Sequence, residues 1–130
     1  MMKRLGVELQ DQAHDAACRA YEEVIRLDPS LVEAHVNLGR LYQEEGRLDE
    51  AEASYRQAIR LRVDSTVAHI NLGVVLEDRG QDEAAIAAYQ QTLQLDPRFQ
   101  PAHCNLAELY ERQGYLQDAL RHYAAAKRCR

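Results

Sequence analysis

The residues AHVNLG at 34–39 return as AHINLG at 68–73 and as AHCNLA at 102–107. His35, His69 and His103 are thus separated by two equal steps of 34 residues, and the register survives without an insertion. Asn37, Asn71 and Asn105 keep the same step. So do Leu38, Leu72 and Leu106, then Ala51, Ala85 and Ala119, and Tyr55, Tyr89 and Tyr123. A strict period of this length means that one supersecondary unit is copied along the chain and that each copy buries its apolar face on the next. One step back from Ala51 and Tyr55 lie Ala17 and Tyr21, so a partial copy precedes the three registered ones.

Within each unit the apolar spacing is helical, twice over. In HVNLGRLYQEE, His35, Leu38, Leu41 and Tyr42 fall on one face, and Gly46 follows as a left-handed cap. In LDEAEASYRQAIRL, Leu48, Ala51, Tyr55, Ala58 and Ile59 make a matching face. Asp49 and Glu50 sit in its first turn, where the helix dipole favours acids. Leu-Asp-Pro at 27–29 and 95–97 ends a second helix, because proline cannot extend the hydrogen-bond ladder. Ser30 followed by Glu33 reads as a capping box for the next helix. Val63 stands where the other junctions have Pro29 and Pro97, so a softer stop is expected there, with Asp64 or Ser65 as the following cap.

The leading copy is one residue shorter between Gly6 and Ala17 than its counterpart and lacks the turn glycine, so its first helix is expected to be short or displaced. The organisation expected is one domain over residues 1–130: a degenerate copy at 1–30 and repeats at 31–64, 65–98 and 99–130, in about eight helices.

A 34-residue helix–turn–helix unit of this kind resembles the tetratricopeptide repeat, whose pattern is W-x2-L-G-x2-Y, then A-x3-F, then P. The pattern stands here as His35, Leu38, Gly39, Tyr42, Ala51 and Tyr55. It returns as His69, Leu72, Gly73, Leu76, Ala85, Tyr89 and Pro97, and again as His103, Leu106, Ala107, Tyr110, Ala119 and Tyr123. The departures are His at the Trp position, Ala107 for a Gly and Val63 for a Pro. The resemblance runs from about residue 12 to residue 128 and implies an all-α fold, a right-handed α-solenoid of helix–turn–helix repeats.

Three histidines at fixed spacing invite an active-site reading, which distance removes. Equivalent helices of stacked repeats are separated by roughly the 8–10 Å of packed helices, whereas three ligands of one zinc need nitrogens about 2 Å from the metal. Each His is expected to pack between its own two helices instead. His14 and Cys18 form an i, i+4 pair, but two ligands without a third are an ordinary helix surface. No HExxH, GxSxG, GxGxxG or Walker-type loop occurs, so the expectation is no enzyme, no metal and no cofactor.

Composition removes further classes. Sixteen Lys and Arg against 21 Asp and Glu give a net charge of −5, which lacks the cation excess that phosphate neutralisation needs, so no nucleic acid is expected. Cys18, Cys104 and Cys129 include no CxxC pair and suit a reducing compartment better than a disulfide framework. No apolar run approaches the roughly 18 residues that a membrane span needs, so a soluble, cytoplasmic chain without membrane contact is expected.

What remains is a surface. Glu33, Asn37, Arg40 and Glu44 recur at helical spacing on a face distinct from that of Leu38 and Tyr42. The equivalent stripes are Val67, Asn71, Val74 and Asp78, then Pro101, Asn105, Glu108 and Arg112, with Val36, Ile70 and Cys104 beside them. In tetratricopeptide proteins the first helices line the concave surface, so the resemblance implies that these stripes lie in a groove. An Asn side chain offers both a donor and an acceptor and can pair with the backbone of an extended peptide whatever that peptide's side chains are. The expected peptide-binding residues are Asn37, Asn71, Asn105, Val36, Arg40, Ile70, Val74, Cys104 and Glu108. The alternative for each Asn is a solvated or intramolecularly bonded side chain.

Three amide contacts at ~1 kcal/mol each supply about 3 kcal/mol, whereas micromolar binding needs about 8. Val36, Ile70, Val74 and Cys104 are therefore expected to provide most of the affinity through apolar pockets. Glu33, Glu44, Glu77, Asp78, Glu108 and Glu111 outnumber Arg40 and Arg112, which suits an extended or helical segment that is apolar with some basic character. The family's lysine-rich clamp for a chaperone's C-terminal carboxylate is not present, since Lys3 and Lys127 are the only lysines.

The function expected is a non-catalytic scaffold that binds a peptide or protein segment in its groove. Two alternatives stand beside it. One is a regulatory or substrate-docking segment of a larger enzyme or transcriptional regulator, suggested by a start within a degenerate repeat and an end without a polar capping helix. The other is a homo-oligomer assembled through exposed terminal helices.

Overall fold

The computed structural model describes the backbone of residues 2–129 and the side chains of residues 12–129. Among the described residues there are seven helices and no strand: α1 (Met2–Leu27), α2 (Val32–Glu44), α3 (Leu48–Leu61), α4 (Thr66–Asp78), α5 (Asp82–Leu95), α6 (Gln100–Gln113) and α7 (Leu116–Arg128). The chain divides into two compact units, residues 1–63 and 64–130. The first holds α1 packed on α2 and α2 paired with α3. The second holds the pairs α4 with α5 and α6 with α7, joined by packing of α5 on α6.

The sequence spacing predicts about eight helices and the described residues form seven, because the leading copy does not break into two. Each later copy turns at a glycine with positive φ: Gly46 at 76°, Gly80 at 77° and Gly114 at 85°. After each glycine the next amide reaches back five residues to a carbonyl of the helix's last turn, Arg47 to Tyr42 at 2.8 Å, Gln81 to Leu76 at 2.8 Å and Tyr115 to Tyr110 at 2.9 Å. This is the Schellman closure, in which glycine takes the left-handed conformation without a Cβ clash. One step back from Gly46 stands Gln12. A side chain there resists the left-handed turn, and α1 runs through as one 26-residue helix.

Two expectations about helix ends are corrected. Ser30 and Glu33 do not form a capping box: the N-cap of α2 is Leu31, without a side-chain cap. The Ser30 hydroxyl donates to Asp28 Oδ1 at 2.6 Å, and its amide donates to the same oxygen at 3.2 Å, so the polar turn is made one residue too early to cap the helix. The stop before Val63 is no softer than the stop before Pro97, since α3 and α5 are both 14 residues long. Arg62 has φ −145° and ψ 98°, Asp96 φ −144° and ψ 94°. The same extended residue is reached with and without proline. At that next helix Ser65 is the N-cap as expected, its hydroxyl accepting from the Ala68 amide at 3.2 Å.

Inside the hairpins the repeated Gly and Tyr act together. A Cβ on Gly39 would lie 2.7 Å from Tyr55 Cε1, and one on Gly73 would lie 2.5 Å from Tyr89 Cε1. The glycine gives the first helix room to rest on the aromatic ring of the second, and both rings are buried, at 0% and 1% exposure. Ala51 and Ala58 in the first unit, and Ala85 and Ala88 in the second, are buried small residues on the same helices as those rings.

Candidate functional site

Each repeat divides its polar residues between holding the hairpin and facing outward. His35 is buried, and its Nε2–H donates to the Pro29 carbonyl at 3.0 Å. His103 does the same to the Pro97 carbonyl at 2.8 Å. These histidines tie the first helix to the turn that precedes it, which is why an aromatic-sized residue with a donor stands at the usual Trp position.

The tyrosines hold the other end. Tyr55 donates to Gln43 Oε1 at 2.9 Å, Tyr89 to Glu77 Oε1 at 2.9 Å and Tyr123 to Glu111 Oε2 at 3.4 Å. The acceptor precedes its tyrosine by 12 residues in all three repeats. Burial pushes the Tyr55 hydroxyl up to about 12, and burial, then the hydrogen bond to Glu77, push Tyr89 higher still. Tyr42 meets an acid of the leading helix, donating to Glu22 Oε1 at 2.7 Å.

The predicted acidic face is thereby partly spent on structure. Glu77 accepts from Tyr89 and pairs with Arg112 at 2.7 Å. Glu44 pairs with His14 at 2.8 Å. His14 therefore serves a carboxylate, while its predicted companion Cys18 is buried, with its thiol raised chiefly by that burial. Glu33, Asp78 and Glu108 remain exposed, as does Arg40.

The predicted peptide-binding set separates in the same way. Val36 and Ile70 are 7% and 8% exposed, so of the expected binding residues they offer the least surface. Both lie one position before an Asn, on the side of the helix that turns inward. Val74 and Cys104 are half-buried, so the apolar surface that this face can offer is smaller than the sequence suggested. Asn37, Asn71 and Asn105 are all half-buried, and none has a hydrogen-bond partner among the described residues. Three side chains, each with two donors and an acceptor, thus stand at equivalent positions with that capacity unused.

One constellation had no periodic signal. His122 replaces Ala88 and Ser54 of the earlier copies, and it meets the repeated His103. The bond from His103 Nε2–H to the Pro97 carbonyl leaves its Nδ1 as an acceptor, and the Nδ1–H of His122 donates to it across 3.0 Å. The His122 ring stacks on Tyr110 at 5.7 Å between centroids. Burial, and next the neighbouring His103, hold the His122 pKa below its ordinary 6.5.

Helical hairpins with a 34-residue step, each turning at a glycine with positive φ and tied by a Tyr hydroxyl to the residue 12 positions before it, define the class: an all-α chain of helix–turn–helix repeats. The family profile described as tetratricopeptide repeat matches residues 7–65, 36–98 and 70–130, so the chain belongs to the tetratricopeptide-repeat family and has its solenoid type of fold. Among solved structures, one described as MamA MSR-1 C2 is 24% identical with a TM-score of 0.77, covering 93% of this chain and 70% of that one. MamA RS-1 ArsTM double mutant is 20% identical with a TM-score of 0.82, covering 97% of this chain and 71% of that one. MamA AMB-1 P212121 is 25% identical with a TM-score of 0.77, covering 95% and 68%. These likenesses are of fold. No curated protein matches the chain. Among the described residues no helix is long and apolar enough to cross a membrane.

Proposed function

We propose that this chain is a non-catalytic protein-interaction scaffold that receives a protein or peptide segment on the first-helix faces carrying Asn37, Asn71 and Asn105. The observation that carries the reading is the unused hydrogen-bonding capacity of these three half-buried amides, beside His and Tyr side chains whose polar atoms are engaged. The polar atoms of these amides are open to water, so a ligand's backbone can take the place of that water without breaking a bond within the protein. Val74 and Cys104 supply the adjoining apolar contacts, and Arg40 and Glu108 the charged rim. With Val36 and Ile70 withdrawn into the core, the segment is recognised more through its backbone and less through apolar side chains. Exposed Glu33, Asp78 and Glu108 favour a segment with basic character.

The test is the triple variant N37A/N71A/N105A. Helicity and melting should change little, because these side chains bond to nothing in the described structure. Affinity for a purified partner segment should fall by at least ~tenfold, about 1.4 kcal/mol spread over three contacts. Unaltered affinity removes the groove reading.

A further inference from the structure

We propose that copies of this chain stack head to tail, with the outward face of α7 in one copy seated on α1 of the next. The template for such a contact is already inside the second unit. There α5 presents Glu83, Ile86, Ala87 and Gln90 towards Tyr110 and Gln113 of α6. Gln90 Nε2 donates to the Tyr110 hydroxyl at 3.4 Å, Gln113 Nε2 to Glu83 Oε1 at 3.5 Å, and Ile86 is only 8% exposed. The same face recurs 34 residues later on α7 as Gln117, Leu120, Arg121 and Ala124, all exposed, with Leu120 at 67%.

This second face is more apolar than its template. Leu116, 61% exposed, stands one period after Asp82, and it aligns with Leu120 and Tyr123 at i, i+4 and i+7. An outer face of a helical repeat is ordinarily polar where it meets water. Exposed Leu116 and Leu120 on such a face, with the half-exposed Tyr123 at its hairpin edge, are an interface left open.

The complement is on α1. Ala13, Ala16, Ala20, Val24 and Leu27 follow one another at steps of three or four residues, and all five are exposed. Alanines at three of these positions leave hollows into which the larger Leu116, Leu120 and Tyr123 fit, whereas a second α7 would set large against large. Charge selects the same pairing. Helix α7 carries Arg121, Lys127 and Arg128 against Asp118, while α1 carries one more acid than base. An α7–α7 contact would oppose like charges. The α7–α1 contact joins different surfaces, so each stacked copy still offers one free face of each kind, and growth continues past the dimer.

Sedimentation velocity over a concentration series, with circular dichroism as the control for folding, tests this. The wild-type mass should rise beyond two chains, while L120E and A20E should each remain monomeric and helical. Mixing L120E with A20E should restore association but stop it at a 1:1 dimer, because the mixture contains one intact face of each kind. L116E and A16E form a second pair with the same expected pattern. A wild-type chain that stays monomeric overturns the proposal in favour of some other occupant of α7. Assembly of A20E alone, with none for L120E, overturns it in favour of an α7–α7 contact. The N37A/N71A/N105A variant should assemble normally, which separates this contact from the groove reading.

Discussion

The α4–α5 and α6–α7 hairpins are two copies of one design within one unit, and they differ at three informative positions. Gly73 becomes Ala107, Ala88 becomes His122, and Asp82 becomes Leu116. In the first hairpin the Tyr89 ring fits onto the glycine and is 1% exposed; in the second, Tyr123 is 37% exposed and its hydroxyl bond has lengthened from 2.9 to 3.4 Å. Ala107 puts a methyl where the other hairpins rest a glycine on the ring, and His122 pairs with His103 in this hairpin alone. The repeat therefore tolerates change in how its two helices lock while the turn glycine is kept.

The largest expected effect comes from making the first hairpin like the second at one position only. G73A places a Cβ 2.5 Å from Tyr89 Cε1, so the helices must separate. A loss of about 2 kcal/mol in chemical denaturation is expected, against about 1 kcal/mol for A107G, which merely adds a helix glycine. Equal losses would mean that the glycine–tyrosine fit does not distinguish the hairpins.

The hydroxyl bonds give a smaller contrast. Y89F removes a partly buried bond to Glu77 and should cost about 1 kcal/mol, read as a shift in melting temperature. Y123F, at a longer and exposed bond, should cost less than about 0.5 kcal/mol.

The histidine pair gives the smallest effect, in pH dependence. The folded pKa of His122 lies below its ordinary 6.5, so the unfolded chain binds the proton more readily. Its contribution to stability is complete above about pH 6.5 and is lost as pH falls through the lower folded value. Melting measured at about pH 7 and about pH 5 should therefore fall less for H122A than for the wild type. An unchanged difference would remove the pair as a titrating element.

Much of this was legible in the sequence. The 34-residue step gave the repeat, its turns and its class, because each copy needs the same glycine and the same buried small residues. The leading copy misled: Ala17 and Tyr21 kept register, but Gln12 in the turn position joined two expected helices into one. The burial of Val36 and Ile70 was not legible, since residues one step apart on a helix differ by about a quarter-turn and a stripe drawn from spacing alone has no sharp edge. The His103–His122 contact was invisible, because His122 has no counterpart in the other copies.

The central claim is the proposed division of labour within the repeat, in which His and Tyr hold the hairpin and Asn is the side chain offered to a ligand. Nuclear magnetic resonance of the side-chain amides tests it most directly, by titrating the protein with its purified partner segment. The account predicts that the NH2 resonances of Asn37, Asn71 and Asn105 shift together and saturate at one stoichiometry, while those of Gln90 and Gln100 do not move. Shifts confined to second-helix residues, with the three Asn signals unmoved at saturation, would contradict it.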